Sequence, residues 1–437
     1  MGNFPTPLYR MHIMNINSRK NKNSSGNSSS SVLQRLRDNN ISLYVKRDDA
    51  SHGCELTGNK IRKLELLLAD ALASKHNSVI TIGGEQSNHC RATACAARMV
   101  GLEPHLILRT GRANDILASQ EQHRQQQVDN NGKNNDNDSS SSSTSTMGYT
   151  GNLLFDRMVG STIYTCTPHE YMRIGSMQLL QRLSSYLMKQ ESKDDEDEED
   201  PGMTKPYPIP VGGSNGLGTF GYLSAVDEML QQWQSIPTKP SLDHVVVACG
   251  SGGTAGGIAI GLWLAYDQIL RRNNEQQQTK RPIVHAVGVC DSPDYFYNHI
   301  AKIADEMGLV VPAEEESTES YIRKMFVVHS GKGQGYARST TDELDFISSF
   351  AVETGIVLDP VYSGKAMYHF MTNVLEDDSD SFKDKNLLFL HTGGALGLYE
   401  QGPTLYPTMT QISPVKRLDL HGKDDSEHKV DISEEVQ

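Results

Sequence analysis

The sequence predicts an α/β fold, two open twisted parallel-sheet domains with helices on both faces, and three observations carry that expectation. Short apolar runs such as SVITIGG (Ser78–Gly84) and HVVVAC recur along the chain. Longer segments with apolar residues at helical spacing alternate with them. The strand-to-strand distances in sequence are those of crossover connections, not of hairpins.

The opening, MGNFPTPLYRM, holds Pro5 and Pro7 and reads as an extended lead into the fold. Residues 15–31 (NINSRKNKNSSGNSSSS) are almost entirely polar and are expected to be disordered. Ordered sequence resumes at residues 32–37, and ISLYVKRDD predicts a strand over residues 41–46. Ile61, Leu64, Leu67, Leu68, Ala71 and Leu72 then repeat at helical spacing, which predicts a helix over residues 59–74 with Asn59 as its N-cap. A short buried strand at Ser78–Gly84 follows, and after it a helix of small residues that Ser87 or Asn88 would cap. Residues 105–109 (HLILR) form the next strand.

Beyond a polar stretch the alternation returns. Residues 162–166 predict a strand, 172–190 a helix and 218–233 another helix. The clearest pair in the chain is the strand at 245–248, a glycine loop, and an apolar helix to about residue 270. PIVHAVGV and KNLLFLH supply two late strands. The economical arrangement is one catalytic unit over residues 1–437 made of two α/β lobes meeting at a cleft. The smaller lobe is expected at about 60–220, with polar inserts at 117–147 and 190–204. The larger is expected at about 1–59 and 221–415, and the polar tail at 418–437 is expected to be disordered.

Composition narrows the function classes. The hydrophobic fraction is 37%, and the deficit is concentrated in residues 120–146 and 191–200, which are nearly free of apolar side chains. Net charge is -13. The acidic run at 194–200 supplies seven of the carboxylates, and no basic domain or stripe suited to nucleic acid is present. No run of eighteen apolar residues could span a membrane, and the N-terminus lacks the apolar core of a secretory signal. Six cysteines without CxxC or zinc spacing point to free thiols in a reducing compartment. The expected location is therefore cytoplasmic, with an organellar one left open. No metal site is expected.

Four motifs could carry chemistry. The loop GSGGTAGG (residues 250–257) follows a β-branched strand and opens a helix, so its N–H groups form an anion cradle to which Ser251 and Thr254 add hydroxyls. Gly250, Gly252 and Gly253 supply the close backbone approach. Lacking GKS/T it is not a P-loop, and the alternative is glycine used for packing. Lys60 and Lys63 lie three apart at a helix start and could face one site, or could be two surface lysines. GGEQSNHCR (residues 83–91) offers Ser87, Asn88 and a helix N-terminus to a carboxylate or phenolic oxygen, or simple capping. GQGY (residues 333–336) and DPVYSGK (residues 359–365) each put a tyrosine beside glycine, to donate a proton or to pack.

In order and spacing, KRDDASHGCELTGNKIRKLE, TIGGEQSNHCR, GSGGTAGG and LDPVYSGKAM resemble the D-cysteine desulfhydrase and 1-aminocyclopropane-1-carboxylate deaminase family of pyridoxal-phosphate enzymes, from FPTPL to about residue 406. The resemblance implies a fold-type II enzyme with pyridoxal 5'-phosphate between the lobes, a small D-amino acid substrate and a homodimer. It makes Lys60 the lysine that carries the cofactor and Asn88 the residue facing the phenolic oxygen. Ser87 falls near the substrate carboxylate or alpha carbon. Lys63 and residues 250–254 fall at the phosphate, and Tyr336 and Tyr362 are the two active-site tyrosines. Ser363 and Thr392 stand where the deaminases carry Glu and Leu, which looks like the desulfhydrase branch, with a hydroxyl in place of a carboxylate at the pyridine nitrogen. The implied reaction is alpha,beta-elimination of D-cysteine to pyruvate, hydrogen sulfide and ammonia. Lys60 would remove the alpha proton, and Tyr336 or Tyr362 would protonate the sulfide. Deamination of the cyclopropane amino acid, elimination of another leaving group, and a non-catalytic anion-binding protein are the alternatives.

Overall fold

Strands that are apolar at nearly every position are covered on both faces. His244–Cys249 is buried along its whole length, and Ser78–Gly84 over its first five residues. Each lies inside its sheet. The computed structural model describes residues 1–13, 33–56, 58–118, 150–191, 204–272, 280–413 and 415. The polar stretches at 15–31, 120–146 and 194–200 and the tail at 418–437 lie outside the described residues.

In chain order the strands are β1 (Leu8–Arg10), β2 (Ser42–Arg47), β3 (Ser78–Gly84), β4 (Glu103–Arg109), β5 (Thr162–Cys166), β6 (Pro206–Ile209), β7 (His244–Cys249), β8 (Ile283–Gly288), β9 (Val327–Ser330) and β10 (Asn386–His391). One sheet has the order β1-β2-β10-β7-β8-β9 and the other β5-β4-β3-β6. The protein is thus an α/β structure of two sheet-containing domains, as the alternation predicts.

Among the described residues every pairing is parallel except one. β1 runs antiparallel to β2, with Leu8 opposite Lys46. The sequence shows only an extended lead there, because three residues are too few for a periodic pattern to register. β9 likewise escapes the sequence pattern.

Alternation along β7 divides the larger core between the two faces of its sheet. Val245, Val247 and Cys249 join one apolar cluster, and Val246 and Ala248 join the other. Each fully buried valine contributes about 1.5–3 kcal/mol. In the smaller sheet Val79 faces one cluster and Ile80 and Ile82 the opposite one.

Helix boundaries differ from the sequence expectation where the site intrudes. The first long helix is Ile61–Ala73, preceded by a 3-10 turn at Gly58–Lys60, and no side chain caps it. Asn59 is not its N-cap because the Asn59 amide is engaged elsewhere. The expected helix at 172–190 is broken at Gly175 (φ 85) into Pro168–Ile174 and Ser176–Glu191. Helix Gly216–Gln234 packs on Ile61–Ala73 through Gly221, where a Cβ would run into the Arg62 carbonyl oxygen. It also meets helix Gly253–Arg272 at Gly257, where a Cβ would lie 2.5 Å from the Cβ of Tyr222.

Candidate active site

The carboxyl ends of β3, β4, β7 and β10 meet at a cavity of about 630 Å³ lined from both lobes. Ligands in open α/β folds lie at such strand ends. Lys60, Ser87, Asn88, Gly250, Ser251, Gly252, Thr254, Tyr336, Tyr362 and Thr392 all line it. Lys63, Gly253 and Ser363 do not.

Lys60 is delivered by the 3-10 turn. Gly58 has φ +71, and a Cβ there would meet the Thr392 carbonyl oxygen at 2.5 Å. The Asn59 N–H donates to that same oxygen at 3.1 Å, so the turn is laid against the end of β10. The Lys60 Nζ donates to Asn59 Oδ1 at 2.9 Å, and Asn59 Nδ2 donates to Thr254 Oγ1 at 3.1 Å. One asparagine therefore ties the lysine to the glycine loop. Burial pushes the Lys60 amine down to about 8, against the opposing pull of the Asp359 carboxylate. An amine in that range is neutral often enough to act as nucleophile and base.

The glycine loop forms the anion end. Gly252 has φ +83, and a Cβ on Gly250 would meet Tyr362 Cε1 at 2.7 Å. Ser251 Oγ shares a 2.8 Å hydrogen bond with Ser214 Oγ, and the Gly253 N–H donates to Ser214 Oγ at 3.2 Å. Gly253 thus braces the loop and opens the long helix behind it. Lys63 stands one layer further back. Its Nζ donates to the Gly212 carbonyl at 2.8 Å and to Ser214 Oγ at 3.1 Å. Lys60 and Lys63 therefore do not look into one site, because Lys60 belongs to the 3-10 turn and not to the helix proper. Burial, reinforced by the Lys60 charge, holds Lys63 well below the ordinary lysine range.

Opposite lies the N-terminus of helix Asn88–Met99. Ser87 caps it, its Oγ accepting from the Cys90 N–H at 3.2 Å. Gly83 makes the approach possible, since a Cβ there would sit 2.6 Å from Ser87 Cβ. Asn88 Oδ1 is buried without a hydrogen-bond partner among the described residues. A buried orphan acceptor is costly unless a ligand completes it.

Tyr336 and Tyr362 face each other with hydroxyl oxygens 2.8 Å apart, and Lys60 Nζ lies 5.7 Å from the Tyr362 ring centre. Burial raises Tyr336 to about 12 despite the Tyr362 hydrogen bond and the Arg109 charge. Tyr362 is raised well above the ordinary phenol value, again chiefly by burial. Both phenols hold their protons at neutral pH, one donating to the other, and in proton transfer the pair can serve as the acid.

Two of these neighbours were not legible as site residues. Arg109, at the end of β4, places its guanidinium 5.3 Å from the Tyr336 ring centre and 4.9 Å from that of Tyr171. Its position at a strand end beside Gly84 was the available signal. Asp359 is wholly buried and accepts from the N–H groups of Val361, Tyr362 and Ser363 at 3.0, 2.8 and 2.7 Å. Ser363 Oγ also donates to Asp359. That bond accounts for the position of Ser363, which turns away from the cavity to complete the Asp359 cap. Ser363, the position expected at the pyridine nitrogen, therefore does not line the cavity, whereas Thr392, which stands where the deaminases carry Leu, does.

Such an arrangement suits a class of enzymes that hold a phosphorylated cofactor on a glycine loop beside a lysine amine. Residues 29–393 match the family model described as pyridoxal-phosphate dependent enzyme. The chain belongs to that family, and its cofactor is pyridoxal 5'-phosphate. It is 39% identical over 401 residues to the mitochondrial bifunctional D-cysteine desulfhydrase/1-aminocyclopropane-1-carboxylate deaminase of Arabidopsis thaliana, covering 92% of this chain and 79% of that protein. A putative 1-aminocyclopropane-1-carboxylate deaminase of Thermotoga maritima is 34% identical, with 84% of this chain and 92% of the relative covered. A D-cysteine desulfhydrase of Klebsiella pneumoniae is 30% identical, with 83% and 90% covered. The crystal structure of an ACC deaminase homologue superposes with TM-score 0.61 at 26% identity, covering 93% of this chain and 94% of that one. The protein is thus a fold-type II enzyme related to the desulfhydrase and deaminase group.

The residues fit the cofactor. The loop around Gly250 and Gly252 presents N–H groups and the Ser251 hydroxyl to a phosphate at a helix N-terminus. Lys60 offers the amine, and the orphaned Asn88 amide offers a partner to a ring oxygen.

Proposed function

We propose that this protein is a D-cysteine desulfhydrase, converting D-cysteine and water to pyruvate, hydrogen sulfide and ammonia. The observation that carries the proposal is the placement of a half-buried amine of lowered basicity, Lys60, 5.7 Å from the ring of Tyr362, one of a hydrogen-bonded pair of protonated tyrosines. Elimination needs a base at the alpha carbon and an acid at the departing sulfur, and these groups supply them from one cavity.

When bound, pyridoxal phosphate withdraws the electron pair left by the broken Cα–H bond. Residues 250–254 hold its phosphate, Lys63 supporting that loop through Ser214 and Gly212. Ser87 and the N-terminus of helix Asn88–Met99 receive the substrate carboxylate. Lys60, as a free amine, would remove the alpha proton. Tyr336 or Tyr362 passes a proton to the leaving sulfur, and their short contact lets either hydroxyl recover a proton from the other.

Thr392, which stands where the deaminases carry Leu, supports the desulfhydrase reading over the deaminase one by putting a hydroxyl in place of an apolar side chain on the cavity wall. The bifunctional name of the Arabidopsis relative favours a second reading, in which the cyclopropane amino acid is also deaminated. The assembly proposed is a homodimer in a reducing compartment, cytoplasmic or organellar. Steady-state kinetics on D-cysteine, L-cysteine, 3-chloro-D-alanine and 1-aminocyclopropane-1-carboxylate test the proposal. D-cysteine is expected to have the highest kcat/KM, and a higher value for the cyclopropane amino acid would reverse the assignment.

A further inference from the structure

The two tyrosines belong to different segments, and something must hold them in register. Tyr362 precedes helix Ser363–His369, where the Asp359 cap fixes its backbone. Tyr336 rides on the loop after β9, residues 331–338 (GKGQGYAR). In that loop the carbonyls of Lys332, Gly335 and Arg338 converge on one point. Lys365 Nζ occupies it, donating to them at 3.0, 3.0 and 2.7 Å. An ammonium has three N–H donors and no acceptor, so three carbonyls satisfy it completely.

The Lys365 side chain is 1% exposed. Its counter-charge is Glu343, whose Oε1 lies 3.9 Å from Nζ. Glu343 is held in turn by the Thr340 N–H at 2.8 Å and by His369 Nε2 at 2.9 Å. Gly333 and Gly335 have φ of +51 and +113, which turns the carbonyls inward, and a Cβ on Gly333 would meet Glu343 Oε1 at 2.8 Å. The glycines of GKGQGY are thus shaped around the ammonium. A buried lysine is expensive to keep, and among the described residues the hydrogen bonds of this ammonium run to the loop that carries Tyr336 and its ion pair to Glu343.

We propose that Lys365 is a positioning residue for proton delivery: its ammonium clamps residues 332–338 so that the Tyr336 hydroxyl meets that of Tyr362 above the cavity. The two ends of DPVYSGK then each anchor one tyrosine, Asp359 holding Tyr362 and Lys365 holding Tyr336. This inference rests on the tyrosine pair acting as the acid in the reaction proposed above.

The test combines hydrogen exchange with a double-mutant cycle on the holoenzyme. Lys365→Met should speed exchange of the amides at 331–338 and leave those of β3 unchanged. It should lower kcat for D-cysteine by about 10- to 100-fold with little change in KM, as expected for a misplaced reacting group. In the Tyr336→Phe background the same substitution should cost less than about twofold, because the group it positions is gone. Equal losses in the two backgrounds, or unchanged exchange at 331–338, would overturn the proposal. If Lys365→Met does not yield soluble protein, Lys365→Arg replaces it. Arg keeps the charge, but its planar fork cannot meet three converging carbonyls, and the same directions are expected. An Arg variant with wild-type exchange and kcat would also overturn it. Exchange is read without substrate, so failure of the D-cysteine assignment is separable from failure of the clamp.

Discussion

Lys60 can capture a carbonyl only while its amine is unprotonated, and burial lowers that amine from the ordinary lysine value to about 8. Cofactor-free protein should therefore bind pyridoxal phosphate faster as pH rises, with the rate levelling off above about 8. Below that point the rate should fall about tenfold per pH unit, since protonation removes the nucleophile. Stopped-flow absorbance of the reconstitution checks this, and a midpoint near 10 would show that Lys60 is not desolvated. A second prediction concerns the hydroxyl positions. Thr392→Leu should lower D-cysteine turnover relative to the cyclopropane amino acid, because Thr392 faces the cavity. Ser363→Glu should instead destabilise the protein by about 3 kcal/mol or more, since it sets an unpaired carboxylate against buried Asp359. Urea unfolding of the two variants separates these outcomes. At this scale the sequence showed residue types but not directions. Lys60, Ser87, Asn88, Tyr336 and Tyr362 were legible because each sits in a motif with a stated chemistry. The turning of Lys63 and Ser363 away from the cavity was not, because their partners, Gly212, Ser214 and Asp359, are fixed by tertiary contacts.

Between elements, glycine decides how closely helices approach. Gly221 lies against the Arg62 carbonyl, so Gly221→Ala should overpack the contact and cost about 1–3 kcal/mol. Thermal unfolding measures the cost, and retention of the cofactor absorption band would separate it from damage to the site. A converse prediction applies to residues 120–146, whose composition cannot support a core. Replacing them by a short Gly/Ser bridge should leave kcat/KM within a few-fold, since closure cost changes by only about 0.6 kcal/mol per doubling of loop length. Loss of soluble protein would contradict this. Strands β3, β5, β7, β8 and β10 and helix Asn88–Met99 were legible because buried strands and small-residue helices leave unbroken local patterns. β1 and β9 were not, being three and four residues long at sheet edges. The 3-10 turn at Lys60 was hidden for another reason: Asn59 has the chemistry of an N-cap, and only its bonds to Thr254 and Lys60 show that it is used otherwise.

For the molecule as a whole, pH acts through a ladder of histidines across the larger sheet. His244 Nδ1 lies 3.0 Å from His285 Nε2, and His285 Nδ1 lies 2.9 Å from His329 Nε2. Burial, and then the neighbouring imidazoles, push His285 down to about 2, and burial lowers His244 and His329 as well. The unfolded chain takes up these protons near pH 6.5 and the folded one does not. The ladder's contribution to stability is therefore complete above about 6.5 and declines as pH falls below it. Tm should drop more steeply between pH 6.5 and 5 in the wild type than in His285→Asn, and parallel profiles would exclude the ladder as the cause. The same whole-molecule view explains why the two-lobed fold was visible in the sequence while the cavity was not. Alternation of elements is local, whereas the cavity draws on residues from Asn59 to Gly394. That Lys60 is the attachment point of the cofactor is tested most directly by borohydride reduction of the holoenzyme, digestion, and mass mapping of the pyridoxyl group. The expected adduct is on the peptide containing Lys60, with none on Lys63 or Lys365. An adduct on any other lysine would contradict the assignment of this cavity as the active site.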